Sequence, residues 1–202
     1  MITAFVVYHK QQAILHCKPT LTGATIAAFL WVLGAVMSTL MNQVITLPDV
    51  EIDVYAGYYG EINDDTSYDF TLYRYNYPGD SELDYLEVSV GIDYSGFRAA
   101  YWYTDDYGGS DLDLHYTEIN YSWEFVEDWS LDLHYGYNFG DAIDDGEGFD
   151  SYSDFSIGVS TEFSGFSVSM AYLDTDIDGD YEVNSGVYKN SGTLLATVSY
   201  AF

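Results

Sequence analysis

From residue 51 to the C-terminus, apolar and polar side chains alternate with a period of two, the period of a β-strand. Leu86, Val88, Val90, Ile92 and Tyr94 fall on one phase, and Glu87, Ser89, Gly91 and Asp93 on the other. Leu131, Leu133, Tyr135, Tyr137 and Phe139 alternate with Asp132, His134, Gly136 and Asn138. Phe155, Ile157, Val159 and Phe163 alternate with Asp154, Ser156, Gly158, Ser160 and Glu162, and Phe166, Val168, Met170 and Tyr172 with Ser167, Ser169 and Ala171. The pattern predicts nine strands, near 51–60, 67–77, 83–94, 97–104, 112–125, 129–139, 152–163, 166–174 and 192–202. In the 112–125 stretch the apolar phase slips, from Leu112, Leu114 and Tyr116 to Ile119, Tyr121 and Trp123. A β-bulge there accounts for the slip.

The connections separate two architectures with this pattern. Three are tight and framed by aromatics: Tyr94-Ser-Gly-Phe97, Phe125-Val-Glu-Asp-Trp129 and Phe163-Ser-Gly-Phe166. Between them lie longer acidic, Gly-rich loops at 104–111, 140–151 and 175–191. A soluble β-sandwich hides its apolar phase between sheets and has no reason to place aromatic pairs at one end only. An outer-membrane β-barrel turns that phase to lipid, alternates short turns with long outer loops, and girdles its interfaces with aromatics. The expected fold is all-β: an antiparallel up-and-down transmembrane barrel, with about nine strands present and the barrel incomplete. The final strand, Leu194 to Phe202, has one apolar face and ends on Phe202. It resembles the C-terminal sorting signal of outer-membrane barrels.

Charge narrows the function. The chain has 33 acids against 5 Lys plus Arg, for a net charge of −28. Residues 1–48 hold Lys10, Lys18 and no acid, so they carry +2 and the remainder −30. Such a field repels nucleic acid and draws cations; a salt-adapted soluble protein is the rival explanation for it. With 22 Tyr and 11 Phe the chain is too rich in aromatics for a disordered acidic tail. The single Cys17 excludes an internal disulfide framework and a Cys-based zinc site.

The segments VYAGYYGEI (54–62), YNYPGDSELDYLEVSVGIDYSGF (75–97), FVEDWSLDLHYGY (125–137) and SDFSIGVSTEFSGFSVSMAYLDTDI (153–177) resemble the TorF-type porins, a proteobacterial family of outer-membrane barrels largely without assigned function. The resemblance covers roughly residues 50–202. It implies a barrel in the outer membrane of a Gram-negative bacterium, with lipid and lipopolysaccharide as its surroundings. The family opens with further strands, including an Arg-containing SDYRFRG-like stretch, before the equivalent of Glu51; this chain does not show that stretch.

Topology also points to strands in front. With Phe202 on the periplasmic side, counting back through alternating connections starts the 51–60 strand outside. Single-chain bacterial barrels have even strand numbers and start inside, so one or three strands are needed, and three restore twelve. Residues 1–48 nonetheless divide from the 49–202 barrel in composition. Leu21 to Met41 is an uncharged apolar run with better helix than strand character. Three readings stand for it: the core of a targeting segment, a native anchor, or an altered start or frame joined to a truncated barrel. A strand from Ile2 to Tyr8 is a further reading and makes ten. A helix near the gap is the expectation, with no hydrogen-bonded closure between 51–60 and 192–202.

No catalytic set stands out, no cofactor is implied, and the chain is not read as an enzyme. His115 and His134 occupy polar positions of adjacent strands, where they can meet in the lumen as solvated residues or bind a metal. Asp174-Thr-Asp176-Ile-Asp178-Gly179 matches the first half of a D-x-D-x-D-G calcium loop, but the twelfth position is Ser185, which supplies no bidentate carboxylate. A weak Ca2+ site and an acidic, solvated outer loop are the two readings. The lumen-lining set is Asp93, Arg98, Asp132, His134, Asp154 and Glu162, with Arg74 and Arg98 as partners for the acids or as a local constriction. Two functions remain: a porin-like pore that prefers cations or small solutes, and a non-conducting surface barrel whose acidic loops bind divalent cations or a partner.

Overall fold

In the computed structural model, the described residues are 2–9, 12–19, 30–38, 50–147, 151–185 and 189–201; for 2–9, 12–19, 30–38, 50–51, 145–147 and 201 the backbone alone is described. The nine expected strands are present. They are β4 (Val50–Asn63), β5 (Thr66–Asn76), β6 (Tyr85–Tyr94), β7 (Phe97–Thr104), β8 (Leu114–Val126), β9 (Trp129–Phe139), β10 (Tyr152–Phe163), β11 (Phe166–Thr175) and β12 (Thr193–Ala201). Each pairs antiparallel with the next in the chain, giving an up-and-down sheet.

These nine strands do not close on one another: β4 and β12 are not neighbours. The chain ahead of them corrects the expectation for residues 1–48. It holds β1 (Ile2–His9), β2 (Gln12–Pro19) and β3 (Leu30–Ser38), not a barrel-free segment. Backbone pairing runs from β4 through β3 and β2 to β1, and β1 meets β12 at Thr3↔Ala201 and Ala4↔Tyr200, so the strand order is a ring of twelve. The helix expected over 21–41 is replaced in its described part by β3; the flanking 20–29 and 39–49 lie outside the described residues. Local helix propensity in Leu30–Ser38 yields to the sheet, because the backbone groups of the β4 edge gain partners along Leu30↔Gly57 to Met37↔Val50. No helix among the described residues is long and apolar enough to cross a membrane.

Tight turns hold the registers. Ser95 and Gly96 have φ of 46° and 86°, and Ser164 and Gly165 have φ of 52° and 82°. Two consecutive left-handed residues make the hairpin turn whose twist matches that of the flanking strands. Crowding also favours glycine at 96, where a Cβ would sit 2.8 Å from the Ser122 carbonyl oxygen.

The two faces of the ring differ as the alternation requires. Leu86, Val90, Ile92, Ile119, Leu133, Ile157, Val159, Phe166, Val168 and Val198 all point away from the interior and are exposed; Leu131 lies on the same face, half-buried, and Phe202 lies outside the described residues. Asp132, Asp154, Gly158 and Ser169 lie on the inward phase. The phase slip in β8 is not a bulge. Its ladder to β9 is continuous from His115↔Phe139 to Glu124↔Ser130, and the one shift falls between Glu124 and Val126, beside the turn. The slip arises because Leu114 and Tyr116 face inward, Tyr116 toward polar partners.

Candidate functional site: the acidic interior

Inward positions carry carboxylates on most strands from β4 to β10: Asp53 and Glu61, Asp69, Glu87 and Asp93, Glu118, Asp132, then Asp154 and Glu162. Among residues whose side chains are described, Arg98 is the one Lys or Arg facing inward. Arg74, considered as a partner for the lumen acids, lies on the outward phase instead and binds Asp84 at 3.1 Å near the long-loop end.

The interior is organised in two tiers. Toward the short turns, Arg98 Nη1 lies 2.7 Å from Asp93 and Nη2 lies 3.0 Å from both oxygens of Asp69. Asp69 and Arg98 are on β5 and β7, so the guanidinium reaches over β6, and it can do so because position 91 there is glycine. A Cβ at Gly91 would overlap the Asp69 carboxylate and the Arg98 guanidinium. Beside this group, His134 Nδ1 lies 2.7 Å from Asn120 Oδ1 and His134 Nε2 lies 2.7 Å from Asp154. Tyr116 Oη donates to Asp154 at 3.3 Å. Asp132 accepts from Ser122 Oγ at 2.7 Å and from Ser160 Oγ at 2.6 Å. Carboxylates at this depth thus have donors, as enclosed charges require.

Toward the long loops the wall becomes aromatic. Tyr55, Tyr73, Trp102 and Tyr116 form an inward arc, with successive ring centroids 5.5, 6.4 and 6.3 Å apart. Tyr75 stacks on Tyr85 at 4.6 Å and donates its hydroxyl to Glu87 at 3.1 Å. Ser89, between Tyr73 and Trp102, is 3% exposed. At the opposite end the interior opens into a cavity of about 540 Å3, whose lining includes Tyr59, Glu61, Asp93, Arg98 and the turn residues Asp64 and Asp65.

The structure thus brings Asp93 together with Arg98, and His134 together with Asp154. Asp132 is held separately by two serines, and Glu162 is exposed near the short-turn end, opposite Ser167. His115 and His134 do not meet. His115 pairs with Phe139 on the outward phase, stacks on that ring at 4.7 Å, and lies 2.6 Å from Tyr101 Oη and 2.7 Å from Asp113. The same register that turns Tyr116 inward turns His115 outward. Asp174, Asp176 and Asp178 are not gathered round one point: Tyr172 Oη donates to Asp174 at 2.6 Å, and the Ser153 N–H donates to Asp176 at 2.6 Å. Among the described residues, no group of three or more His, Cys, Asp or Glu is placed to hold a metal ion.

A family described as a bacterial protein of unknown function, Gcw_chp, matches residues 12–202. The chain belongs to that family. The Gcw_chp match starts at the first residue of β2 and takes in β3, so it spans chain that composition alone set apart from the barrel. No curated protein matches the chain.

The residues missed in the sequence were legible in part. Asp69 sits on the polar phase between Tyr68 and Phe70, the same signal that marked Asp93. Tyr116 and the aromatic arc carried no such signal, because Tyr suits both a lipid-facing and a lumen-facing position.

Proposed function

We propose that this chain is an outer-membrane β-barrel of a Gram-negative bacterium, a pore that prefers cations and is similar to the TorF-type porins. The observation that carries the reading is the inversion of its faces: large apolar side chains stay exposed on the outside, while carboxylates line the inside. In water that outer surface is an aggregation hazard; in a bilayer it is the lipid face. Aromatics at the short-turn end support an interfacial girdle, among them Tyr94, Phe97, Phe125, Trp129, Phe163 and Phe166, all exposed. Strands of 8 to 14 residues, such as β1 and β4, bracket the roughly 9–11 residues that a tilted strand needs to span a bilayer.

Selectivity follows from the carboxylates, since a lumen rich in fixed negative charge concentrates cations. Refolded 202-residue protein in a planar bilayer tests this under a KCl gradient. Discrete channels whose reversal potential has the sign of K+ selectivity are expected. Anion selectivity would overturn the charge argument, and an absence of channels would overturn the pore. The second reading, a non-conducting surface barrel, draws on the aromatic arc, whose rings take up space in the lumen.

A further inference from the structure

We propose that Arg98 sets charge selectivity at the short-turn mouth of the lumen, by offsetting one of the two negative charges of Asp69 and Asp93 where the interior cavity ends. This rests on the pore reading above. An ion entering from that end meets Glu61, Asp64 and Asp65 in the cavity lining and then the guanidinium. On β5, β6 and β7 Arg98 is the one Lys or Arg on the inward phase, and there it breaks the field of the neighbouring carboxylates.

Its geometry fixes that charge in space. Nη2 contacts both oxygens of Asp69 at 3.0 Å, and Nη1 contacts Asp93 at 2.7 Å. The planar fork suits two carboxylates on different strands, and a lysine ammonium has no equivalent geometry. Gly91 supplies the notch in which the bridge lies. The side chain is 32% exposed, so one face of the guanidinium remains part of the surface that passing ions experience. Without Arg98, Asp69 and Asp93 are left near one another with no counter-charge, an arrangement of hard oxygen ligands that attracts a divalent cation.

The experiment compares wild type, Arg98→Gln, Arg98→Lys and Asp93→Asn in planar bilayers, with MgCl2 added on the short-turn side. Arg98→Gln is expected to raise the K+/Cl− permeability ratio several-fold and to make the channel sensitive to block by Mg2+. Arg98→Lys keeps the ratio near wild type, and Asp93→Asn lowers it. An Arg98→Gln channel with wild-type ratio and Mg2+ response would show that Arg98 only staples the strands; the pore reading would survive. Wild-type protein that forms no channels would remove both. Refolding is checked by the heat-dependent shift in electrophoretic mobility. Should Arg98→Gln fail that check, an unchanged ratio in Asp93→Asn overturns the proposal on its own.

Discussion

Asp69 and Arg98 stand on strands that are not neighbours, yet one guanidinium nitrogen lies 3.0 Å from each oxygen of the carboxylate. The residue between them, Gly91, pairs with Asp69 on one side and with Ala100 on the other. A bridge over a strand of an antiparallel sheet needs a missing side chain, and the alternation Val90-Gly91-Ile92 places that gap on the inward phase.

Gly91→Val is therefore expected to destabilise the folded barrel by about 1–3 kcal/mol, the cost of inserting volume into an occupied site. The urea midpoint of refolded protein in detergent measures it. Gly158→Ala is expected to cost stability as well, since its Cβ would come 2.8 Å from that of Ala171 and 3.0 Å from the Met170 carbonyl oxygen, neither of which can swing aside. Equal midpoints for wild type and Gly91→Val would show that the Asp69–Arg98 bridge is not seated in that notch.

Charge on the two faces should have opposite consequences. Ile157 is 52% exposed on the outward phase, and Ser156, the residue before it, is inward opposite His134. Ile157→Arg is expected to cost about 2–4 kcal/mol of folding in lipid vesicles, as Arg does at mid-membrane depth. Ser156→Arg should cost far less, because the lumen hydrates it and offers carboxylates. If the order of the two losses is reversed, the apolar face is not a lipid face.

Cation preference should fall with pH. Carboxylates lose their charge as pH drops through roughly 4, so the K+/Cl− permeability ratio is expected to decline between neutral pH and pH 3. Arg98 keeps its charge throughout that range, so the change in the ratio comes from the acids. Reversal potentials recorded at steps of pH measure the trend. A ratio that stays constant would mean that the inward carboxylates do not face the permeation path.

Ring closure depends on the first strands. Deleting residues 1–19 removes β1 and β2, together with the Thr3↔Ala201 pairing, and leaves the edges of β3 and β12 open. Unpaired backbone groups at lipid depth cost several kcal/mol each. The shortened chain is expected to lose the heat-dependent mobility shift and resistance to protease in vesicles. A shortened chain with full resistance would show that β3–β12 can seal another way.

Much of this was legible because a two-residue period leaves little freedom: once Leu131, Leu133 and Tyr135 share a face, Asp132 and His134 must share the other. The strand bounds in 85–104 and 129–175 follow from that and from the Ser-Gly turns. Two things were not legible. Leu30 to Ser38 is apolar at nearly every position, so it has no alternation to distinguish a strand from a helix, and its place is set by the free edge of β4. In β8, an apolar-looking Leu114 and Tyr116 concealed the true phase; only the partners of Tyr116, His134 and Asp154, fix it inward and so send His115 out.

The ring also has one seam unlike the rest. Among the described strands every other pairing joins segments adjacent in sequence, each reachable by closing the one connection between them, whereas β1 and β12 come from opposite ends of the chain. Loop-closure entropy falls most heavily on that contact. Until it forms, the growing sheet exposes two edges able to pair with a neighbour's. The seam is thus where assembly of this protein is most open to being diverted into aggregates, and where a helper that holds the unfinished sheet would have most to shield.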